Sequence, residues 1–433
     1  MELYDRLYEL YAEYDTETLR GYREFVDLFP PLDSRVALDR WDEANADLAE
    51  RRAAVEAAFD DGETLAEVAA VADRDAAFTA LDLRGKYGRA VNALVLDVDE
   101  TLRSAGDTDN EIPRSVLHLL TELAERGVPL VICTGQTLEN VKGFLVQGLG
   151  NELVYSGAVS VVYEAGAGVF TPGRGEETKR LLYDDLDDDV RGVVDDVRDG
   201  VLRSAPDDVR RGCHLQGNEF NVTLKPNYET GSDAADEVID DAMAHLLELV
   251  GEAVADRVDV DDGPAAARAF FADADPEIEA SLRRAGADVP AETEPEAVAL
   301  FERLNVALYR ADAAELAARE LDKAAGVRSA LDTLDVDDPF VCVMGDSKSD
   351  LEVMEWVASA DAGISAAPSH SSESVLEHVR DTDGLVFSPG DAAELLRTVY
   401  ALNCLVDLGA DTGAADEAPS GEEVVGSSGD DAA

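Results

Sequence analysis

The feature that most limits the fold of this chain is a run of four apolar residues, Ala93-Leu94-Val95-Leu96, which is followed directly by Asp97. Unbroken apolar runs are typical of strands buried on both faces, whereas half-exposed strands alternate. A helical pattern follows from Pro113 to Gly127, and a second apolar run follows at Val128 to Cys133. A third strand is expected at Leu153 to Tyr155. Strand, helix and strand with short connections form a right-handed βαβ unit, so the sequence predicts a parallel sheet covered by helices.

The same alternation returns nearer the C-terminus, after a long stretch of different character. We expect a helix over 312–331 and a buried strand over Phe340 to Met344. The intervening stretch is rich in acidic helical patterns and turns, which indicates an inserted α/β domain, called the cap below. The sequence thus predicts a doubly wound α/β core and five segments along the chain: a helical extension (1–90), the first half of the core (91–160), the cap (161–304), the second half of the core (305–407) and a disordered acidic tail (408–433).

Residues 1–90 show helical periodicity and offer no chemistry. Leu3, Leu7 and Leu10 recur at three- and four-residue steps, which predicts one apolar helix face. We expect these helices to pack on the main body. An alternative is that these helices form a lid or a dimerisation element. In the second case, a homo-oligomer would form through the N-terminal helices.

The charge of the chain limits its partners. It has 36 Lys and Arg against 94 Asp and Glu, a formal net charge of −58. Such a surface repels phosphate backbones and anionic lipid, which argues against nucleic acid and membranes as main partners. The acidic residues are spread over the whole chain, as in halophilic proteins of salt-rich cytoplasms, where screening weakens self-repulsion. Because the N-terminus has no basic and apolar leader pattern, we expect a cytoplasmic protein.

Three predicted strands end in polar segments. These are Asp97-Val98-Asp99-Glu100-Thr101, Thr134-Gly135-Gln136 and Gly345-Asp346-Ser347-Lys348-Ser349-Asp350. Ligands of open parallel sheets bind at the carboxyl ends of the strands, so we expect the three segments to meet at one edge. Clustered carboxylates repel one another and need a cation, and oxygen ligands at this density suit Mg²⁺. The sequence therefore predicts a magnesium site there.

These segments resemble the motifs of the haloacid dehalogenase-like phosphatases. The segment from Asp97 to Thr101 is similar to the first motif, DxDx[TV], and the segment from Gly345 to Asp350 is similar to the fourth, GDSxxD. Thr134 and Lys323 resemble the second and third motifs, and all four occur in the family order. The wide spacing between Thr134 and Lys323 resembles the spacing in the subclass that has a large α/β cap between the second and third motifs. That subclass includes sugar-phosphate phosphatases and phosphomannomutases.

The resemblance implies a role for each matching residue. Asp97 would be the nucleophile, and Asp99 would act as general acid and base. Thr134, Gly135 and Lys323 would hold the phosphoryl oxygens. The Mg²⁺ ligands would be the Asp97 carboxylate, the Asp99 carbonyl, Asp346 and, directly or through water, Asp350.

Two positions depart from the family pattern, Gln136 in the second motif and Lys348 in the fourth, where Gly or Asn is common. The second motif often has Arg where this chain has Gln136, so a basic side chain is either missing or supplied from elsewhere. In the cap, Arg210, Arg211 and Lys225 form a cluster in a chain poor in basic residues. We expect them either to contact an anionic substrate or to be the solvated ends of a hairpin.

Together these observations predict a Mg²⁺-dependent phosphatase that acts on a small phosphorylated metabolite, such as a sugar phosphate, through an aspartyl-phosphate. One alternative is a phosphomutase, in which a sugar hydroxyl rather than water accepts the phosphoryl group. The other is a catalytically silent binding module.

Overall fold

The computed structural model describes residues 2–29, 35–103, 112–216 and 219–413. The α-helices in these residues are α1 (Leu3–Glu13), α2 (Thr16–Leu28), α3 (Arg35–Glu56), α4 (Gly62–Val71), α5 (Arg74–Tyr87), α6 (Arg114–Glu125), α7 (Leu138–Gly148), α8 (Gly150–Val154), α9 (Asp188–Gly200), α10 (Asp207–Gly212), α11 (Ser232–Ala255), α12 (Gly263–Ala274), α13 (Pro276–Arg284), α14 (Pro295–Phe301), α15 (Lys323–Thr333), α16 (Lys348–Ser359), α17 (Glu373–Asp381) and α18 (Ala392–Gly413). None of these helices is long and apolar enough to cross a membrane.

The strands of the same residues form two sheets. They are β1 (Ala93–Asp97), β2 (Leu130–Cys133), β3 (Val159–Tyr163), β4 (Gly168–Phe170), β5 (Arg180–Leu181), β6 (Cys213–Leu215), β7 (Val222–Pro226), β8 (Leu304–Tyr309), β9 (Ala313–Ala318), β10 (Val341–Met344), β11 (Gly363–Pro368) and β12 (Leu385–Phe387). The larger sheet has the order β12-β11-β10-β1-β2-β3-β4-β5, and the smaller one has the order β6-β7-β9-β8.

The larger sheet confirms the predicted doubly wound α/β core. Strand β1 lies between β2 and β10 and is parallel to both, and the parallel pairing continues to β3 on one side and β12 on the other. Every residue of β1, β2 and β10 is buried, as unbroken apolar strands under helices should be. Since the strand order reverses at β1, its carboxyl end is the switch point where such sheets bind ligands.

The smaller sheet forms the cap and differs from the predicted boundaries. Strands β8 and β9, over residues 304–318, pair with each other and with β7 rather than with the core. Strands β4 and β5 extend the core sheet as antiparallel edge strands as far as Leu181. The cap sheet therefore begins beyond residue 161 and ends beyond residue 304. One of its faces is buried against α11, where Leu224, Leu316 and Met243 share a single apolar cluster.

Two predicted elements have a different secondary structure. Leu153 and Val154 end the short helix α8 instead of forming a strand, and the third parallel strand is β3. The segment over 312–331 contains strand β9 before helix α15 begins at Lys323. Alanine-rich β9 resembles a helix in composition, and its pairing with β7 and β8 outweighs that preference.

The N-terminal helices form a compact unit of their own that also includes the C-terminal helix. Helix α18 was predicted in part as core, but from Glu394 onward it belongs with residues 1–91. The Asn403 side chain forms two hydrogen bonds with the backbone of Val91, both 2.8 Å long, and Tyr400 donates to Glu67. The helix continues to Gly413, so residues 408–413 are helical rather than disordered. The rest of the predicted tail lies outside the described residues.

Candidate active site

The carboxyl end of β1 carries a buried ion triad. Asp97 is the last residue of β1, and Lys323 opens α15, whose N-terminus is capped by Asp322. The Lys323 Nζ atom lies 2.8 Å from Asp97 Oδ1 and 2.6 Å from Asp350 Oδ1. All three residues of the triad are buried in the fold. Residues that lie far apart in sequence therefore meet at one point, because β1 and β10 end side by side.

The backbone around Asp350 fixes the orientation of its carboxylate. Ser347 and Asp350 form a capping box at the start of α16, and Asp350 Oδ2 accepts from Ser347 Oγ at 2.7 Å and from Ser347 N at 3.0 Å. A Cβ at Gly345 would lie 2.4 Å from the Asp350 Cβ. A glycine is therefore required where β10 ends, and Asp350 is held with one oxygen directed at Lys323.

Burial and charge set the ionisation of the triad. Burial raises the pKa of Asp97 well above its ordinary value, the Lys323 ammonium opposes this shift, and the charge of Asp350 adds to it. Burial disfavours the charged form of Lys323, but the two carboxylates outweigh it and raise the lysine pKa. Such shifts are typical of functional sites.

A divalent cation fits next to this triad. Asp97, Asp346 and Asp350 each place a carboxylate oxygen within 4.8 Å of the others. Thr101 Oγ1 lies 3.3 Å from Asp346 Oδ1 and orients it. Burial and the nearby Asp350 charge raise the pKa of Asp346 to about 6, as expected for a carboxyl group that is partly buried beside another. Three hard oxygen donors suit a divalent cation, so these acidic residues could hold one.

The carboxylate of Asp99 is separate from this group and has its own partners. Arg103 Nε donates to Asp99 Oδ1 at 2.9 Å, and Gln136 Nε2 donates to Asp99 Oδ2 at 2.8 Å. Its side chain is half exposed to solvent. Arg103 thus supplies a guanidinium near the site, where Gln136 replaces the basic residue of the second motif.

The loop after β2 lies beside the strand end of β1. Thr134 is buried, and its Oγ1 accepts from Gln136 N at 3.1 Å. Gly135 is exposed, with no atom within 4 Å of a Cβ built on it. Since Asp97 pairs with Cys133 in the β-ladder, Thr134 and Gly135 lie one and two residues beyond the level of Asp97.

The three predicted cap residues do not form one cluster. Arg210 and Arg211 lie on the six-residue helix α10 and both pair with Asp207 of the same helix. Both are exposed, as expected for the solvated alternative, and such pairs contribute little to stability. Lys225 is on β7, where its Nζ lies 3.3 Å from Asp312.

Lys225 lies on the face of the cap sheet opposite the buried Leu224. Thr223, two residues earlier on the same face, pairs with Glu315, which pairs in turn with Ala307, two residues before Tyr309. Burial raises the pKa of Tyr309 to about 12, and the charges of Glu315 and of Glu352 on α16 add to the shift. Lys225, Glu315 and Tyr309 therefore lie on one face of the cap sheet.

Replacing Lys225 with alanine is expected to raise the KM of a large phosphorylated substrate and leave a minimal ester unaffected. A contact remote from the phosphoryl group acts only on substrates that reach it. The measurement compares KM for p-nitrophenyl phosphate with KM for the preferred sugar phosphate. Arg211→Ala, on exposed α10, is the control and should change neither value. Equal loss on both substrates would remove Lys225 from the substrate site.

Sequence reasoning did not predict several residues that support the site. Arg103 contacts Asp99 and Ser347 contacts Asp350. The backbone N–H of Glu164 donates to the Gln136 carbonyl in the loop after β2. Ser347 followed by Asp350 is a capping-box pattern that could have been found from the sequence. Arg103 lies four residues after Asp99, but only the turn between them places the guanidinium on that carboxylate.

The fold and the site together define a doubly wound α/β protein with a carboxylate and lysine centre at the carboxyl end of its parallel sheet. No family model and no curated protein matches the chain. Among solved structures it is similar to a trehalose-6-phosphate phosphatase from Aspergillus fumigatus, at 15% identity over 76% of this chain and 97% of that one, with a TM-score of 0.42.

It is also similar to haloacid dehalogenase-like hydrolases from two bacteria. The one from Bacteroides thetaiotaomicron has 14% identity, covers 72% of this chain and 98% of its own, and has a TM-score of 0.41. The one from B. subtilis has 15% identity, covers 72% and 99%, and has a TM-score of 0.40.

Proposed function

We propose that the protein is a Mg²⁺-dependent phosphatase of a small phosphorylated metabolite, with Asp97 as nucleophile. The observation that carries the proposal is the buried triad of Asp97, Lys323 and Asp350 beside Asp346. A buried nucleophilic carboxylate next to a fixed ammonium and a cation-binding group matches the needs of phosphoryl transfer, where the protein must neutralise and position an anionic group. A purely structural role does not require that these acids share the edge where the sheet binds ligands.

The first step forms a covalent intermediate. An Asp97 carboxylate oxygen attacks phosphorus, the bond from phosphorus to the substrate oxygen breaks, and Asp99 gives its proton to the leaving alcohol. Lys323, Thr134 and the amide of Gly135 hold the phosphoryl oxygens as their charge changes. Gln136 and Arg103 keep the Asp99 carboxylate in place.

The second step regenerates the enzyme. Asp99, now ionised, takes a proton from a water molecule that attacks the phosphorus of the aspartyl-phosphate. The bond from phosphorus to the Asp97 oxygen breaks, which frees the Asp97 carboxylate and releases inorganic phosphate. When bound, Mg²⁺ held by Asp97, Asp346, Asp350 and the Asp99 carbonyl would neutralise phosphoryl charge. The exposed side chain of Asp99 is consistent with water as the acceptor.

Removal of the metal should strongly lower turnover. We expect phosphate release from p-nitrophenyl phosphate or a sugar phosphate in molar KCl with Mg²⁺, and a fall of about 10²-fold or more with EDTA. Excess Mg²⁺ should restore the activity. A panel of phosphorylated metabolites, followed by phosphate release and by sugar isomerisation, checks the reaction type. Isomerisation without phosphate release would indicate a mutase, and tight binding without turnover would indicate a binding module.

We also propose a cytoplasmic protein of a salt-rich cell, on the strength of its net charge of −58. Screening at molar salt weakens the repulsion among these acids. The assay above should therefore be performed in high KCl.

A further inference from the structure

The turn after β3 supports the loop that carries the predicted phosphate-binding residues. Glu164 N donates to Gln136 O and Ala165 N donates to Thr134 O, each at 3.0 Å. Gln136 in turn donates to Asp99, the predicted acid and base. The position of the turn therefore determines where this loop lies.

The same turn contacts the start of α15. Gly166 packs so closely that a Cβ on it would lie 2.0 Å from the carbonyl oxygen of Asp322. The next residue, Lys323, is the ammonium of the triad. The turn thus lies between the second and third motif segments and touches both.

The Glu164 side chain links this turn to the cap. It is 2% exposed, and its Oε2 atom accepts from Glu219 N at 2.7 Å and from Phe220 N at 3.0 Å. Both donors precede β7, and Asn221 Nδ2 adds a contact of 3.4 Å to the Glu164 carbonyl. A buried carboxylate is unfavourable without donors, and here the donors come from the backbone of the cap.

The backbone of the turn has a strained conformation, and contacts with neighbouring segments maintain it. Glu164 has a φ of 48° and Ala165 a φ of 54°, both in the left-handed region that residues other than glycine rarely adopt. Such conformations persist where the surrounding structure enforces them, and they are frequent at functional sites. The contacts with the loop, helix α15 and the cap are what enforce this one.

We propose that Glu164 is a positioning residue that couples the cap to the phosphate-binding loop. This inference rests on the proposed phosphatase function. By accepting from the Glu219 and Phe220 amides, Glu164 holds the cap segment before β7 on the turn that fixes Thr134 and Gln136. Movement of the cap is thereby transmitted to the loop and, through Gln136, to Asp99.

The test compares Glu164→Ala with Glu164→Gln, which can keep one oxygen acceptor for both amides. For Glu164→Ala we expect faster hydrogen exchange at Glu219 and Phe220, and a fall of about 10-fold or more in kcat/KM for p-nitrophenyl phosphate. Glu164→Gln should restore most of both. Asp240→Asn, a buried cap carboxylate bonded to Ser281 and Arg284, is the control and should leave both readouts unchanged.

A second variant tests the link from the cap side without altering the core. Glu219→Pro removes one donated hydrogen, and Tyr228→Pro, at a fully exposed position beyond β7, is its control. We expect only Glu219→Pro to lower kcat/KM. Unchanged exchange in Glu164→Ala, together with unchanged kcat/KM in both Glu164→Ala and Glu219→Pro, would overturn the coupling. A parent protein without phosphatase activity would instead contradict the proposed function, while hydrogen exchange would still report whether Glu164 holds the cap segment.

Discussion

Replacing Asp97 with asparagine is expected to lower the turnover of p-nitrophenyl phosphate by about 10³-fold or more. Asparagine keeps the shape of the side chain and an oxygen for the Lys323 ammonium, but it removes the charge that attacks phosphorus. Because burial makes the ionised carboxylate unfavourable in the fold, the melting temperature should stay constant or rise. Loss of activity with retained stability would identify a functional rather than a structural acid.

Steady-state kinetics and thermal melting check this prediction together. Acid-quenched parent enzyme should carry a phosphoryl group on the peptide that contains Asp97, and the variant should not. Glu100→Gln is the matched control, since Glu100 lies at the same strand end and pairs with His370. An Asp97→Asn protein that keeps most of its activity would exclude the proposed nucleophile.

Replacing Lys323 with methionine is expected to lower kcat by about 10²- to 10³-fold and also to destabilise the fold. The ammonium compensates two buried carboxylates at 2.8 and 2.6 Å. Without it, Asp97 and Asp350 would face each other unpaired, and removing one partner of a buried ion pair is strongly destabilising. Added Mg²⁺ should raise the melting temperature of the variant more than that of the parent, because the ion offsets part of the lost charge.

Lys348→Met is the matched control for this second prediction. Lys348 is exposed and pairs with Glu277 of the cap at 3.5 Å, so its loss should change neither activity nor stability. In the double variant Asp97→Asn/Lys323→Met, we expect the activity losses not to multiply, because both residues act on the same phosphoryl group. Near-parent turnover of Lys323→Met would remove the lysine from the reaction.

Much of the core could be predicted from local pattern. The unbroken apolar runs at β1, β2 and β10 indicate buried parallel strands, and polar segments at their ends indicate a shared edge. From this pattern, Asp97, Thr134 and the segment with Asp346 and Asp350 are predicted to lie at one edge of the sheet. Lys323 was predicted only from the resemblance, because nothing local marks a lysine at a helix start as buried.

The boundaries of the cap depended on pairing between distant segments. Strand β9 has an alanine-rich sequence that suits a helix, and it is a strand because β7 and β8 supply its hydrogen bonds. Helix α18 shows the same effect, since Asn403 bonds to Val91, 312 residues earlier in the chain. Neither the strand conformation of β9 nor the packing of α18 can be predicted from a short window of sequence.

The sequence by itself determined the doubly wound core, the acidic surface and the residues that gather at the carboxyl end of β1. Apolar runs, the polar segments that follow them and the order of the motifs are all visible in short stretches of sequence, whichever segments pair in the fold. Only the tertiary structure decided that Arg103 and Gln136 hold Asp99, that Glu164 accepts from the cap, and that Arg210 and Arg211 are solvated rather than joined to Lys225. The physical reason is that a side chain's partner depends on where distant backbone segments meet, and strand pairing and helix packing fix that position only in the folded chain.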